Sequence, residues 1–222
     1  MKYDKITREV RGTDPLQPYT AILKSGGIIA TPTDTVYGLI ADASHKKAIG
    51  KLFAIKKRDP KKPTPLFVHS IAATKKIAHI SKEQEMFLDK VWPGSVTAIC
   101  FLKENSLLDT RVTAKKGERK TVALRIPNTP FLTKLLSFHK KPLAQTSANP
   151  SSLTPALSAR EVITYFNNQT HKPDIIVESR KKINTIPSTI IDMTETPWNI
   201  VRKGVIPKKL AIIFKKHGVS LQ

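Results

Sequence analysis

Ile55-Lys56-Lys57-Arg58-Asp59-Pro60-Lys61-Lys62-Pro63-Thr64-Pro65-Leu66 joins two segments of different period, and that junction decides the fold class. Ahead of it, Ile49, Leu52 and Phe53 recur at helical spacing behind Ser44, a residue suited to an N-cap. Behind it, Leu66-Phe67-Val68 is a short apolar run that reads as a strand ending near His69. Three prolines stop the helix, because proline lacks the N–H and disfavours the helical region in the residue before it. Five cations and one acid therefore lie on a stiff loop between two packed elements. Arginine offers a planar fork and lysine a mobile point charge, a combination suited to a polyphosphate. Taken alone, the run reads better as a solvated basic loop, since most charge runs are only surface.

Helix and strand patterns alternate outward from this junction. Asp14-Pro15 opens a helix carrying Tyr19, Ile22 and Leu23 on one face and stopping at Gly26-Gly27. Ile28 to Pro32 reads as a buried strand, and Thr33 to Leu39 as a polar turn at its end. Ile71 to Ile80 and Lys82 to Val91 read as two helices, Trp92 to Ser95 as a break, and Val96 to Leu102 as a strand. Lys103 to Lys120 is polar and cation-rich, a long loop or hairpin. Val122 to Pro127 is a strand, Pro130 to Phe138 a helix, and Pro142 to Thr146 a strand running into Ser147-Ala148-Asn149-Pro150. Ser158, with Glu161 three residues on, forms a capping box for a helix reaching Phe166. Asp174 to Val177, Ser188 to Met193 and Asn199 to Val201 finish as strands. This order predicts an α/β fold, a twisted, largely parallel or mixed sheet flanked by helices. With no composition shift, repeat or Gly/Ser linker, residues 1–222 read as a single domain.

Composition narrows the function. The chain has 222 residues, is 40% hydrophobic and carries a formal net charge of +21. Charge on that scale attracts anionic partners, RNA and DNA among them, or only keeps the chain soluble. Cys100 is the sole cysteine and lies in an apolar run, so it reads as core filler and excludes an internal disulfide. The histidines show no metal spacing. Met1-Lys2-Tyr3-Asp4-Lys5 has no apolar leader pattern and no 18-residue apolar run occurs, so the expectation is a cytoplasmic protein without a membrane span. Neither G-x-x-x-x-G-K-[ST], G-x-G-x-x-G nor G-x-S-x-G is present, which disfavours P-loop, Rossmann and α/β-hydrolase chemistry. Small hydroxyl residues gather instead near strand ends, at Thr31 to Thr35, Thr146-Ser147 and Ser188-Thr189. Ligands of open α/β sheets sit at the carboxyl ends of strands.

The pieces together resemble one family. Thr31 to Leu39 is similar to the PT-[DE]-T-x-YGL signature of the YrdC-like threonylcarbamoyl-adenylate synthases, and Lys56-Lys57-Arg58 to their K-x-R. Trp92-Pro93-Gly94 resembles their WPG-x-[LV]-T, Val122 to Pro127 their V-[AG]-[LV]-R-x-P, Ser147-Ala148-Asn149 their S-x-N, and Ser188 to Asp192 their S-T-[VI]-[IV]-D. The matches fall in family order over residues 16–206. Residues 59–65 depart from the usual R-P-x-x-x-P-L, Ser151-Ser152 stands where Ser-Gly is common, and Arg202-Lys203-Gly204 where Arg-Pro-Gly is usual. Ending at Gln222, the chain resembles the short form without a second C-terminal domain.

The resemblance implies a nucleotidyltransferase that makes L-threonylcarbamoyl-AMP from L-threonine, bicarbonate and ATP with release of pyrophosphate, for N6-threonylcarbamoyladenosine modification of tRNA. It implies that Lys56 and Arg58 act in catalysis and bind ATP together with Thr64, Thr121, Ser147, Asn149 and Arg202. Thr35, His69, Arg125 and Ser188 are carried over to threonine. Mg²⁺ is expected with ATP, held by phosphates and water, with no protein metal site. Expected partners are the three substrates, a downstream tRNA threonylcarbamoyl transferase and tRNA or RNA itself. The rival reading is an RNA-binding module of the same fold without catalysis; only 6% aromatic residues for base stacking weighs against it. Carbamoyl-adenylate chemistry of the hydrogenase-maturation type fits less well, since acylphosphatase and zinc-finger segments are missing.

Overall fold

The computed structural model describes residues 7–9, 15–106, 108–178, 183, 186–206, 208–217 and 219. Asp14, the Met1–Lys5 start and the side chains of Lys208 and Lys209 fall outside what it describes. Among those residues the elements run β1 (Thr7–Glu9), α1 (Gln17–Lys24), β2 (Ile29–Thr31), β3 (Gly38–Asp42), α2 (Lys46–Lys56), β4 (Leu66–Phe67), α3 (Ile71–Ile77), α4 (Lys82–Val91) and β5 (Val96–Phe101). There follow β6 (Thr113–Lys116), β7 (Arg119–Arg125), α5 (Pro130–His139), β8 (Leu143–Ser147), α6 (Ala159–Phe166), β9 (Ile175–Glu178), β10 (Thr189–Asp192), β11 (Asn199–Arg202) and α7 (Lys208–Lys216).

All the strands join one mixed sheet in the order β1-β9-β2-β3-β8-β4-β7-β5-β10-β11, with β6 paired to β7 outside that path. The expected layers are present, but antiparallel pairs are prominent at the centre, where β3 meets β8, β8 meets β4 and β7 meets β5. The side chains of β7 alternate between the two faces of the sheet. Val122, Leu124 and Ile126 enter a large core shared with α2, α4 and α6. On the opposite face, Ile29, Ile40, Phe67 and Leu143 pack under Tyr19 and Leu23 of α1 and Leu132, Leu135 and Leu136 of α5. These two helices cover only the β2-β3-β8-β4 part of that face.

Three local readings need correction. The polar turn after β2 is shorter than expected, because Gly38 to Asp42 is a strand buried throughout its length. Gly38 permits the tight approach: a Cβ there would lie 3.2 Å from Thr33 Cγ2 and 3.2 Å from Gln145 Nε2. The cap of α2 is His45, whose ring nitrogen accepts from Ala48 N, while Ser44 donates to Asp42 instead. Ser158 caps α6, but the Glu161 carboxylate reaches back to Leu157 N rather than to Ser158 N, which leaves the box open. The hairpin offered for the 103–120 stretch is present, with β6 paired antiparallel to the start of β7. β1 and α7 had no counterpart in the sequence reading.

At the end of β3 remote from Thr35, Asp42 ties the sheet to the tip of α5. Its carboxylate accepts from Ser44 N at 2.8 Å, Ser44 Oγ at 2.6 Å and His139 Nε2 at 3.1 Å. These bonds outweigh the cost of burial and hold its pKa well below the usual carboxylate range. A depressed pKa contributes stability that is present above the unfolded value and is lost on acidification. Asp42→Ala is expected to destabilise the fold by about 3 kcal/mol, the cost of leaving buried partners unpaired. Denaturant titration at pH 7 measures this, and activity per folded molecule should be unchanged.

Candidate functional site

The α2 helix ends in a left-handed residue that is not glycine. Lys57 has φ 50° and ψ 45°, and its own N–H and that of Arg58 bond back to Ala54 O and Phe53 O. This geometry closes the helix and reverses the chain. Lys57 is left outside, Lys56 is buried and Arg58 is half-buried. The next loop curls around Arg58, whose Nε donates to Lys62 O at 2.8 Å and whose Nη2 donates to Pro63 O at 2.7 Å. Lys56 Nζ donates to Ser147 Oγ at 2.9 Å and to Asn149 Oδ1 at 2.5 Å. The S-x-N spacing therefore has a direct use: residues at the end of β8 and just beyond it grip one ammonium. Asn149 is fixed in turn by donating to Leu153 O.

Arg125 ends β7 on the face that α1 and α5 leave open, and only 2% of it is exposed. Its Nε donates to Gly94 O at 2.8 Å, so the Trp92-Pro93-Gly94 turn acts as its bracket. Nη1 lies 3.5 Å from Thr35 Oγ1, and Nη2 lies 2.5 Å from Asp34 Oδ1. The last two atoms form an ion pair by distance without hydrogen-bond alignment. Arg202 reaches back across β10, donating from Nε and Nη2 to Ser188 O and from Nη2 to Ser188 Oγ at 3.0 Å. Ser188 Oγ is also 3.0 Å from Thr97 Oγ1.

A cavity of about 330 Å³ brings Thr35, Arg58, Arg125, Ser147, Ser188 and Arg202 together. Beside it, a basin of about 490 Å³ is lined by Lys56, Arg58, Lys62, Ser147 and Asn149. Arg58 and Ser147 belong to both and form the partition. Three residues of the sequence reading line neither. Thr64 is buried and donates its hydroxyl to Gln145 O at 2.5 Å. Thr121 stands on the same strand face as Arg125, two pleats away. His69 is half-buried just past β4. The site also departs from the carboxyl-end rule, because Ser147 closes β8 whereas Ser188 precedes β10, and β8 and β10 point the same way through the sheet. The cavity crosses the sheet face diagonally.

Residues without an assigned role in the sequence reading enter the site: Asp34 against Arg125, Thr97 beside Ser188, and Gln145 on the cavity wall. Asp34 sits inside the quoted Thr31–Leu39 stretch, and Gln145 two residues before Ser147, so position in the motifs was the available signal. Among the described residues no group of three His, Cys, Asp or Glu could hold a metal ion, and no helix is long and apolar enough to cross a membrane.

Electrostatics make the site an anion receptor. Burial lowers the pKa of Arg58 and of Arg202, the latter further because Arg125 and Arg58 face it. Burial and then the Arg58 charge pull Lys56 from 10.5 down to about 8. The folded value lies below the unfolded one, so the lysine opposes folding below about pH 8, and this penalty fades as pH rises toward 10.5.

Comparison with known proteins follows this geometry. The Sua5/YciO/YrdC family model, described as telomere recombination, matches residues 21–204, and the chain belongs to this family. A threonylcarbamoyl-AMP synthase from Pyrococcus abyssi is 31% identical over 186 residues, covering 83% of this chain and 52% of that protein. The chain thus spans about half the length of that relative. A protein of the same name from Psychromonas ingrahamii is 36% identical over 152 residues, 67% of this chain and 77% of its own. The structure of P. abyssi Sua5 complexed with L-threonine superposes with a TM-score of 0.83 at 26% identity, over 97% of this chain and 61% of that one. E. coli YciO shares the fold, with a TM-score of 0.77 at 22% identity over 92% of this chain and 97% of its own.

Inorganic triphosphate should bind this site, and affinity should fall by roughly tenfold as pH rises from 7 to 10, the loss of about one charged hydrogen bond. Bound anion raises the lysine's pKa, so the drop should begin above pH 8. Calorimetric titration across this range checks it, with Lys56→Gln giving weaker and nearly pH-independent binding.

Proposed function

We propose that this protein makes L-threonylcarbamoyl-AMP from L-threonine, bicarbonate and ATP, releasing pyrophosphate. The observation that carries the reading is the pair of adjoining basic cavities: four held cations, with Asp34 paired to Arg125 and Asp59 beside Arg58. The basin between Lys56, Arg58 and Asn149 suits a triphosphate, and the cavity at Arg125 suits a small carboxylate. The synthase names of the relatives and the threonine complex of P. abyssi Sua5 support ATP and threonine as the substrates.

The chemistry asks the protein mainly for positioning and charge. The threonine ammonium and bicarbonate condense: an N–C bond forms, a C–O bond breaks, water leaves and one proton is released. A carbamate oxygen then attacks the α-phosphorus, and the bond to the departing pyrophosphate breaks. Arg125 holds the amino acid's carboxylate, with Thr35 and Ser188 hydroxyls beside it. Lys56 and Arg58 neutralise charge that builds on the leaving pyrophosphate, with Ser147 and Asn149 fixing Lys56 and Arg202 closing the opposite wall. No side chain need act as nucleophile. Mg²⁺, arriving with ATP, would be held by phosphate oxygens and water and would add to charge neutralisation. Thr64 and Thr121 join the ATP side, and His69 the threonine side, only if the walls shift when substrate binds.

The net charge of +21 supports a second contact, with tRNA, the substrate of the downstream transferase that would take the product. Lys115 and Lys120 and the half-buried or exposed cations near them ride on the β6–β7 hairpin, outside the cavity. Retention of bulk tRNA on a filter should fall steeply with salt, and replacing Lys115, Lys116 and Lys120 with Gln should flatten that slope.

Pyrophosphate release that requires both threonine and bicarbonate tests the reaction. Arg58→Ala is expected to lower it by one to three orders of magnitude, about 2–4 kcal/mol of transition-state stabilisation. Arg125→Lys should raise the KM for threonine more than that for ATP, because an ammonium cannot reproduce the fork. Full activity in Arg58→Ala, or equal losses on both substrates in Arg125→Lys, contradicts these roles.

A further inference from the structure

Between the phosphate basin and the Arg125 pocket, the middle of the cavity wall is formed by a side chain with no task in the preceding account. Gln145 lies on β8, where Leu143 enters the core under α5, so by strand alternation Gln145 rises on the same face, into the cavity. Its backbone is fully engaged: N donates to Pro65 O at 2.8 Å and O accepts from Thr64 Oγ1 at 2.5 Å. Its carboxamide, half-buried over Gly38, makes no hydrogen bond to any described residue. One acceptor and two donors on a planar group are thus held at the centre of the site and left unspent. In this sheet, residue 145 stands one pleat from Ser147 on the phosphate side and one pleat from Leu143, the residue whose row runs through Phe67 to Arg125. It stands between the regions that the proposed reaction gives to the phosphates and to the amino acid.

We propose that Gln145 binds the carbamate formed from bicarbonate, as a positioning residue for the attacking oxygen; the proposal rests on the reaction put forward above. A carbamate is planar and offers two oxygens and one N–H. A carboxamide matches it side by side, the NH₂ donating to one carbamate oxygen and the C=O accepting from the carbamate N–H. That pairing leaves the second oxygen free to point at phosphorus. It also fixes the plane of the carbamate, which rotates about its N–Cα bond in solution, and positioning of this kind acts on the rate. A Cβ on residue 38 would lie 3.2 Å from Gln145 Nε2 and would crowd the amide where it now stands.

The test is steady-state pyrophosphate release by wild type, Gln145→Leu, Gln145→Asn and Gln145→Glu, varying bicarbonate, threonine and ATP in turn. Gln145→Leu is expected to raise the KM for bicarbonate or lower kcat by tenfold or more, with the KM for ATP within about threefold of wild type. Gln145→Glu should be worse, since its charge repels the carbamate, and Gln145→Asn should recover part of the loss because the amide survives. Melting temperatures of all four proteins identify any variant that has lost its fold, and the Asn variant then carries the comparison. Equal changes in all three KM values, a change confined to threonine, or unchanged kinetics in Gln145→Leu would each overturn the proposal. If wild type itself releases no threonine- and bicarbonate-dependent pyrophosphate, the parent reading fails first and this one with it.

Discussion

Four cations share one site in this protein, and neutral oxygens, rather than acids, hold most of them there. Arg58 leans on the carbonyls of Lys62 and Pro63, Arg125 on that of Gly94, Arg202 on that of Ser188, and Lys56 on a hydroxyl and an amide. Among the described residues Asp34 pairs with one of them, Arg125, and Asp59 lines the basin beside Arg58. Carbonyls orient a guanidinium without cancelling its charge, so the field of the site survives folding. A set of carboxylates in the same places would give a more stable apo-protein and a poor receptor for phosphate.

Three irregular backbone positions serve this arrangement. The left-handed Lys57 costs roughly 1–2 kcal/mol, and it is what lets Lys56 and Arg58, on either side of it, both turn inward at the helix end. At Gly94, a Cβ would lie 2.6 Å from Val91 O, and the carbonyl of this same residue anchors Arg125. Gly204 lies so close to Pro187 and Ser188 that no side chain fits, and its N–H bonds to Thr189 Oγ1 just after the serine that Arg202 grips. Backbone closeness, rather than loop freedom, is what these two glycines supply.

Much of this was legible from residue order and part of it was not. The helix–loop–strand junction at residues 46–67 follows from period and proline alone, and β5, β7 and β8 were read close to their ends. Motif order located Lys56, Arg58, Arg125, Ser147, Asn149, Ser188 and Arg202. What sequence could not give is which way the strands run: β3 was hidden in a turn-like stretch because its burial on both faces removes the alternation that marks a strand. That one strand sets β8 antiparallel beside it, and the cavity then crosses the sheet instead of sitting at one edge. Gln145 and Asp34 were overlooked because their importance comes from what lies opposite them, which only pairing reveals. Thr64, Thr121 and His69 illustrate the reverse: family position named them, and the packing here gives them other neighbours.

The site charge and the overall charge act over different distances. Surface lysines spread along the chain are screened beyond about 8 Å at physiological ionic strength, so their effect is collective and sensitive to salt. The site cations are held a few ångströms from any bound anion, behind low-dielectric walls, where salt reaches them poorly. ATP would feel the first field during approach and the second once seated. Association should then carry the salt dependence, while the step that breaks the phosphate bond should carry almost none. This separation would let a strongly basic surface engage a polyanion such as tRNA without altering the balance of Lys56, Arg58, Arg125 and Arg202 around Asp34 on which the proposed chemistry depends.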